Sequence, residues 1–138
     1  MNKKIAIISI NPCHIEKIFS GEKFYEYRKK IPLNISHLVV YATAPIKKIV
    51  ALAEVDSIIS GTPEEIWNMT KNGSGISHKF FESYFINRNA AYAIKLKNIL
   101  KLHSPKQIGI LNNVKNPPQS YMYARESLEN LYGKLEIF

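Results

Sequence analysis

Gly21-Glu22-Lys23-Phe24-Tyr25-Glu26-Tyr27-Arg28 is the stretch on which the fold of this chain turns. Its glycine is the natural stop of a helix that starts at Asn11-Pro12, where Asn is a strong N-cap and Pro suits the first helical position. Between those ends Ile15, Ile18 and Phe19 share one helical face. After the glycine, Phe24, Glu26 and Arg28 alternate with Lys23, Tyr25 and Tyr27, which is the period of a strand over residues 23–28. On an ideal strand Lys23 faces away from Glu26 and Arg28. A glycine-led bulge would bring all three to one rim.

Outward from that stretch the chain alternates strands and short helices. Residues 4–10 form an isoleucine-rich apolar run of strand length, and residues 37–43 and 47–59 predict two more strands, the second ended by Ser60-Gly61. Thr62-Pro63-Glu64-Glu65 is a capping box, so a helix runs on through Trp67 and Met69 until Asn72-Gly73-Ser74-Gly75 breaks it. Ser77 caps a second helix through Phe81, Tyr84 and Phe85. Residues 90–102 predict the last long strand. An irregular stretch follows over residues 112–119, then a helical turn or two over 127–132 stopped by Gly133, and a closing strand over 134–138. This order predicts an α+β fold: a mixed, mainly antiparallel sheet of five to six strands curled into a small β-barrel, with two to four short helices packed around it. No repeat or linker interrupts residues 1–138, which read as a single domain.

Composition narrows the classes further. The 138 residues suffice to bury a core without disulfides or metals, and 46% hydrophobic with 22% charged residues is ordinary for a globular protein. The lone Cys13 excludes an internal disulfide and a cysteine zinc cluster, and the scattered His14, His37, His78 and His103 have no metal-ligand spacing. Neither a metal nor a cofactor is expected. The basic start Met1-Asn2-Lys3-Lys4 precedes an apolar run too short for a secretory signal, and nothing approaches the ~20 apolar residues of a membrane span, so no membrane is expected and the cytosol is. Nineteen Lys+Arg against eleven Asp+Glu leave a net charge of +8. That excess on a small domain favours a polyanion partner through phosphate contacts and counterion release.

The quoted stretch resembles the G-x-K-x-x-E-x-R signature of ASCH domains, a branch of the PUA-like superfamily. Ser9-Ile10-Asn11-Pro12 before it is also similar to that family, as are Tyr41-Ala42-Thr43, the helix start Thr62-Pro63-Glu64-Glu65-Ile66-Trp67, Ala91-Tyr92-Ala93-Ile94 and Pro117-Pro118-Gln119-Ser120-Tyr121. The resemblance implies a PUA-like barrel with a cleft near the signature and RNA-linked roles. Among its relatives are a ribonuclease activity and an amidohydrolase acting on acetylcytidine. In the latter the lysine matched by Lys23 is catalytic, but the position of its threonine nucleophile holds Glu26 here, which argues against that mechanism. Glu64, Glu65 or Glu82 could stand for its downstream glutamate.

Lys23, Glu26 and Arg28 are therefore the expected ligand-binding constellation: two cations can hold a phosphate while the carboxylate accepts a base N–H or a proton. The bland alternative is a Glu26–Arg28 pair that only braces the barrel. Tyr41, Trp67, Tyr121 and Tyr123 are added as candidate ligand-wall aromatics, since a base stacked on such a ring gains about 1–3 kcal/mol. Lys29, Lys30, Lys47, Lys48, Lys95, Lys97 and Lys101 could form a phosphate-tracking stripe or simply a solvated face. Cys13-His14 suggests a thiol–imidazole couple, but neighbours on a helix point ~100° apart. Three readings follow: a module binding RNA or a nucleotide-like ligand; a metal-independent hydrolase with Lys23 and Glu26 as proton-transfer pair; and a regulatory protein–protein domain whose basic face is incidental.

Overall fold

A computed structural model of the chain describes residues 3–137. Strand β1 (Lys4–Ile10) leads into helix α1 (Pro12–Ser20), whose first turn is capped by the Asn11 side chain accepting from the Cys13 amide. Gly21 closes α1 in the left-handed region at φ 87°, a conformation that costs glycine nothing. Strands β2 (Tyr25–Arg28), β3 (Ile35–Ala42) and β4 (Lys48–Gly61) come next. Helices α2 (Pro63–Thr70) and α3 (His78–Tyr84) follow, the first started by the reciprocal Thr62–Glu65 capping box and the second by Ser77. Strand β5 (Ala91–Lys106), strand β6 (Tyr121–Tyr123) and helix α4 (Leu128–Lys134) complete the order.

The six strands form one sheet in the order β2-β5-β4-β3-β1-β6, with β1 and β3 parallel and the other pairs antiparallel. Both faces are covered. Ala6, Ile8 and Ile10 join Leu38, Val40 and Ala53 under Ile15 and Ile18 of α1, while Ile5 and Ile7 pack with Val39 and Leu52 against Leu131 and Leu135 of α4. A strand buried on both sides reads as an unbroken apolar run, which is what residues 5–10 show, apart from Ser9. A third cluster seats Tyr25 and Tyr27 against Ile66 of α2, Phe81 of α3 and Phe85 at the C-terminal end of that helix.

Register shifts along β4 and β5, between Ile49 and Ala51, Leu52 and Glu54, and Val55 and Ser57, increase the twist and curl the sheet into a half-barrel. Side chains, rather than a ladder, join its two ends. Arg28 of β2 donates to the Ser9 carbonyl (2.6 Å) and to Ser120 Oγ (3.3 Å). The Tyr121 hydroxyl donates to the Ile31 carbonyl (3.1 Å), and the Tyr123 hydroxyl accepts from the Leu33 amide (2.8 Å).

Four expectations need correction. The β2 ladder starts at Tyr25, with Lys23 forming only an isolated bridge to Ser74, because the chain is still leaving the Gly21 turn. Strand β5 runs past Pro105 to Lys106; Ile49 pairs with Lys106 and Ala51 with Lys101, so the proline sits in an outsized bulge where its missing N–H is harmless. Helix α4 passes through Gly133, and the predicted closing strand is absent over residues 134–137. Leu131 and Leu135, spaced i,i+4, are buried together, and the Leu135 amide bonds the Leu131 carbonyl (2.8 Å). Phe138 of that predicted strand lies outside the described residues, as do Met1 and Asn2 of the basic start. Strand β6 was hidden in the sequence, since three residues are too few to show a period. Among the described residues no helix is long and apolar enough to cross a membrane.

Candidate functional site

A cavity of about 190 Å³ opens where the barrel is joined by side chains. The β1–α1 corner contributes Ser9, Asn11 and His14; the signature contributes Lys23, Glu26 and Arg28; helix α3 contributes Phe80 and Tyr84. Lys23 reaches the same cavity as Glu26 and Arg28 because it precedes the regular ladder and escapes strand alternation.

Lys23 is 2% exposed. Its ammonium donates to the Ser74 carbonyl at 2.7 Å and lies 4.8 Å from the centre of the Tyr27 ring. Burial holds its pKa below the ordinary lysine value, an effect that Glu26 opposes and that Lys17 and Arg28 reinforce. The segment 73–75 is the cradle. Gly75 sits at φ +64°, and a Cβ there would meet Lys23 Cβ at 2.5 Å. The Gly75 carbonyl accepts from Lys17 Nζ (2.8 Å), so two lysines are anchored on consecutive carbonyls. Gly75→Ala is expected to cost about 1–3 kcal/mol from the combined left-handed strain and overpacking, and to displace Lys23. A thermal melt together with a ligand-affinity measurement would reveal both effects.

Glu26, 6% exposed, is gripped by Arg28: Nε donates to Oε2 at 3.0 Å and the terminal nitrogen lies 2.8 Å from the same oxygen. Among the described residues no hydrogen bond or ion pair engages Oε1, and the Glu26 side chain lines the cavity. Arg28 also donates through Nη2 to the Ser9 carbonyl and through Nη1 to Ser120 Oγ. The ion pair thus braces the barrel and also lines the cavity.

His14 stands at the first turn of α1 with its ring edge-on to Phe80, centroids 5.6 Å apart. Burial lowers its pKa below the ordinary histidine value. Cys13 is exposed, and no thiol–imidazole bond is present among the described residues. Tyr27 donates its hydroxyl to Thr70 Oγ1 (2.7 Å), since Thr70 itself donates to the Ile66 carbonyl (2.6 Å).

The four aromatic candidates lie elsewhere. Tyr41 is buried among Val39, Ile49 and Leu52. Trp67 stacks on His78 (4.8 Å, 14°) beside a second hollow of about 440 Å³ edged by Glu64, Glu82 and Arg88. Tyr121 and Tyr123 hold residues 31–33 at the seam. The cavity's own phenyl and phenol rings are Tyr27, Phe80 and Tyr84, of which the sequence reading passed over the last two as ligand contacts. Their signal was present: on α3 the pair 80/84 meets the cavity while 81/85 enters the core. Of the lysine stripe, Lys95 and Lys97 straddle Asp56 (3.7 Å each), Lys101 covers Phe19 and Lys29 covers Tyr84. Among the described residues no group of three or more His, Cys, Asp or Glu is placed to hold a metal.

No family model matches the chain. It is 29% identical over 133 residues to the ASCH domain-containing ribonuclease of Zymomonas mobilis, covering 91% of the chain and 87% of that protein. A crystal structure of ASCH from Zymomonas mobilis superposes with a TM-score of 0.84 at 27% identity, over 98% of this chain and 95% of that one. The chain is also 30% identical over 113 residues to large ribosomal subunit protein uL22 of Ureaplasma parvum, of which it spans 36%.

Proposed function

This chain belongs to the ASCH family, and from that premise we propose that it recognises single-stranded RNA, or a nucleotide-like ligand, in the cavity at the barrel seam, in the cytosol. One observation carries the reading: a buried ammonium and a carboxylate with an open oxygen share a cavity of about 190 Å³ in a chain of net charge +8. Leaving two such groups poorly solvated is costly unless a ligand uses them. Lys23 uses one ammonium hydrogen on Ser74 and keeps two for a phosphate or a base carbonyl. Glu26 Oε1 accepts a base N–H. Phe80, 49% exposed at the wall, offers a stacking face worth about 1–3 kcal/mol per base. Arg28 contributes charge to the cavity while its donors stay on Glu26, Ser9 and Ser120.

A second reading, metal-independent hydrolysis with Lys23 and Glu26 exchanging protons, is favoured by the relationship to a ribonuclease. The two separate on end-labelled single-stranded RNA, run on a native gel across a salt series and on a denaturing gel with and without EDTA. An intact, retarded strand supports binding alone; discrete fragments that vanish with Lys23→Ala support hydrolysis. In either case Lys23→Ala is expected to weaken retention and to reduce the slope of log affinity against log salt by about 1. Retention unchanged in both respects would remove Lys23 from the site.

A further inference from the structure

Resting on the reading that RNA occupies this cavity, we infer that His14 is the group that takes the 2′-hydroxyl proton when a bound strand is cleaved at the seam. A proton acceptor for that step has to line the cavity, be neutral near pH 7 and carry no competing commitment. Three candidates face the space. The Glu26 carboxylate is held by the Arg28 guanidinium through Oε2, and its Oε1 is the oxygen assigned above to a base N–H. The Lys23 ammonium is a donor, bonded to the Ser74 carbonyl. His14 alone has an imidazole whose described ring contact is apolar, the edge of Phe80, and its half-buried position keeps it uncharged at neutral pH. The charged groups around it are Glu26 and Arg28 from β2, Lys23 from the turn before it, and Lys17 from its own helix. Glu26 favours the protonated ring and the three cations oppose it, so an imidazolium formed during the reaction is supported from one side and readily gives its proton back.

The step balances without a further reactant. The 2′-oxygen loses its proton to a ring nitrogen of His14 and bonds to the adjacent phosphorus. The bond from phosphorus to the 5′-oxygen breaks, and the Lys23 ammonium protonates the departing oxygen. The products are a 2′,3′-cyclic phosphate and a 5′-hydroxyl end. Protonated His14 and neutral Lys23 are then reset through solvent. Sequence reading had weighed His14 as a partner for Cys13 and as a metal ligand; the fold instead places it in one cavity with Lys23 and Glu26.

The test uses the full chain, a fluorescein-labelled oligouridylate and its 2′-O-methyl counterpart, which lacks the attacking hydroxyl. The wild type is expected to cut the first strand, leaving a cyclic phosphate detectable by mass spectrometry, and to bind the second without cutting it. His14→Asn, checked for an unchanged far-ultraviolet circular dichroism spectrum, should lose 10²- to 10⁴-fold in kcat, on the order expected for a lost general base, while binding the 2′-O-methyl strand within about threefold of wild type. The wild-type profile of kcat/KM against pH should fall on its acid side below the ordinary histidine range, and that limb should disappear in His14→Asn. Cleavage by His14→Asn at the wild-type rate, or a wild type that binds the 2′-O-methyl strand but never cuts the oligouridylate, overturns the inference and leaves the binding site standing. A wild type that fails to bind the 2′-O-methyl strand overturns the binding reading and this inference together.

Discussion

Arg28→Ala is expected to destabilise the protein by about 3–5 kcal/mol, the loss found when one partner of a buried ion pair is removed. The side chains of Arg28 and Glu26 are 11% and 7% exposed, so Glu26 would keep a charge that little water can reach. The same truncation strips the Ser9 carbonyl and Ser120 Oγ of their donor and undoes one of the three side-chain joins across the half-barrel seam. At this chain length the change corresponds to a fall in Tm on the order of 10 °C. Adding Glu26→Gln should recover a large part of it, because a neutral amide needs no counter-charge. Melts of the two single variants and the double variant form the cycle that measures this coupling. If Arg28→Ala melts within 2 °C of wild type, water replaces the guanidinium and the seam does not depend on it.

Lys23→Met is expected to act in the opposite direction on stability while weakening ligand binding. Burial makes the charged form of Lys23 less favourable in the fold than in the unfolded chain, so its folded pKa lies below its unfolded one. With that sign the cost is fully present below the folded pKa and is relieved as pH rises through it. Methionine fills a similar volume without a charge. We expect a gain of about 0.5–2 kcal/mol at pH 7, of the size common when a functional but unfavourable group is removed. The advantage over wild type should shrink at alkaline pH, where wild-type Lys23 sheds its proton. Thermal melts of both proteins at pH 7 and pH 10 test it. A less stable Lys23→Met at pH 7 would mean that the Ser74 hydrogen bond and the Tyr27 ring outweigh the burial cost. The two predictions make neighbouring cations of one signature opposites, one holding the fold together and the other retained at its expense.

What could be read from the chain alone was whatever is settled within a few residues. Asn11-Pro12, Thr62 with Glu65, and Ser77 cap helices through bonds to amides two or three positions on, so these helix starts agree with the sequence. The isoleucine run of β1 and the breaks at Gly21 and Gly61 are equally local. The order of strands and helices already predicted a curled sheet, and the ASCH resemblance singled out Lys23, Glu26 and Arg28, which the fold brings to one cavity. Pattern failed where a distant contact outweighed it: Gly133 did not stop α4 because Leu135 was drawn into the core, and Pro105 did not end β5 because a bulge absorbed it.

Only the tertiary structure decided which side chains meet. It set His14, Phe80 and Tyr84 around Lys23, turned Tyr121 and Tyr123 into seam ties, and withdrew Tyr41 into the core. Caps and periods act through backbone bonds over one or two turns, which any reader of the sequence can follow. The cavity instead depends on how far bulges in β4 and β5 curl the sheet, and so on how near β2 comes to β1. That approach is the summed outcome of packing on both faces, and no single residue encodes it.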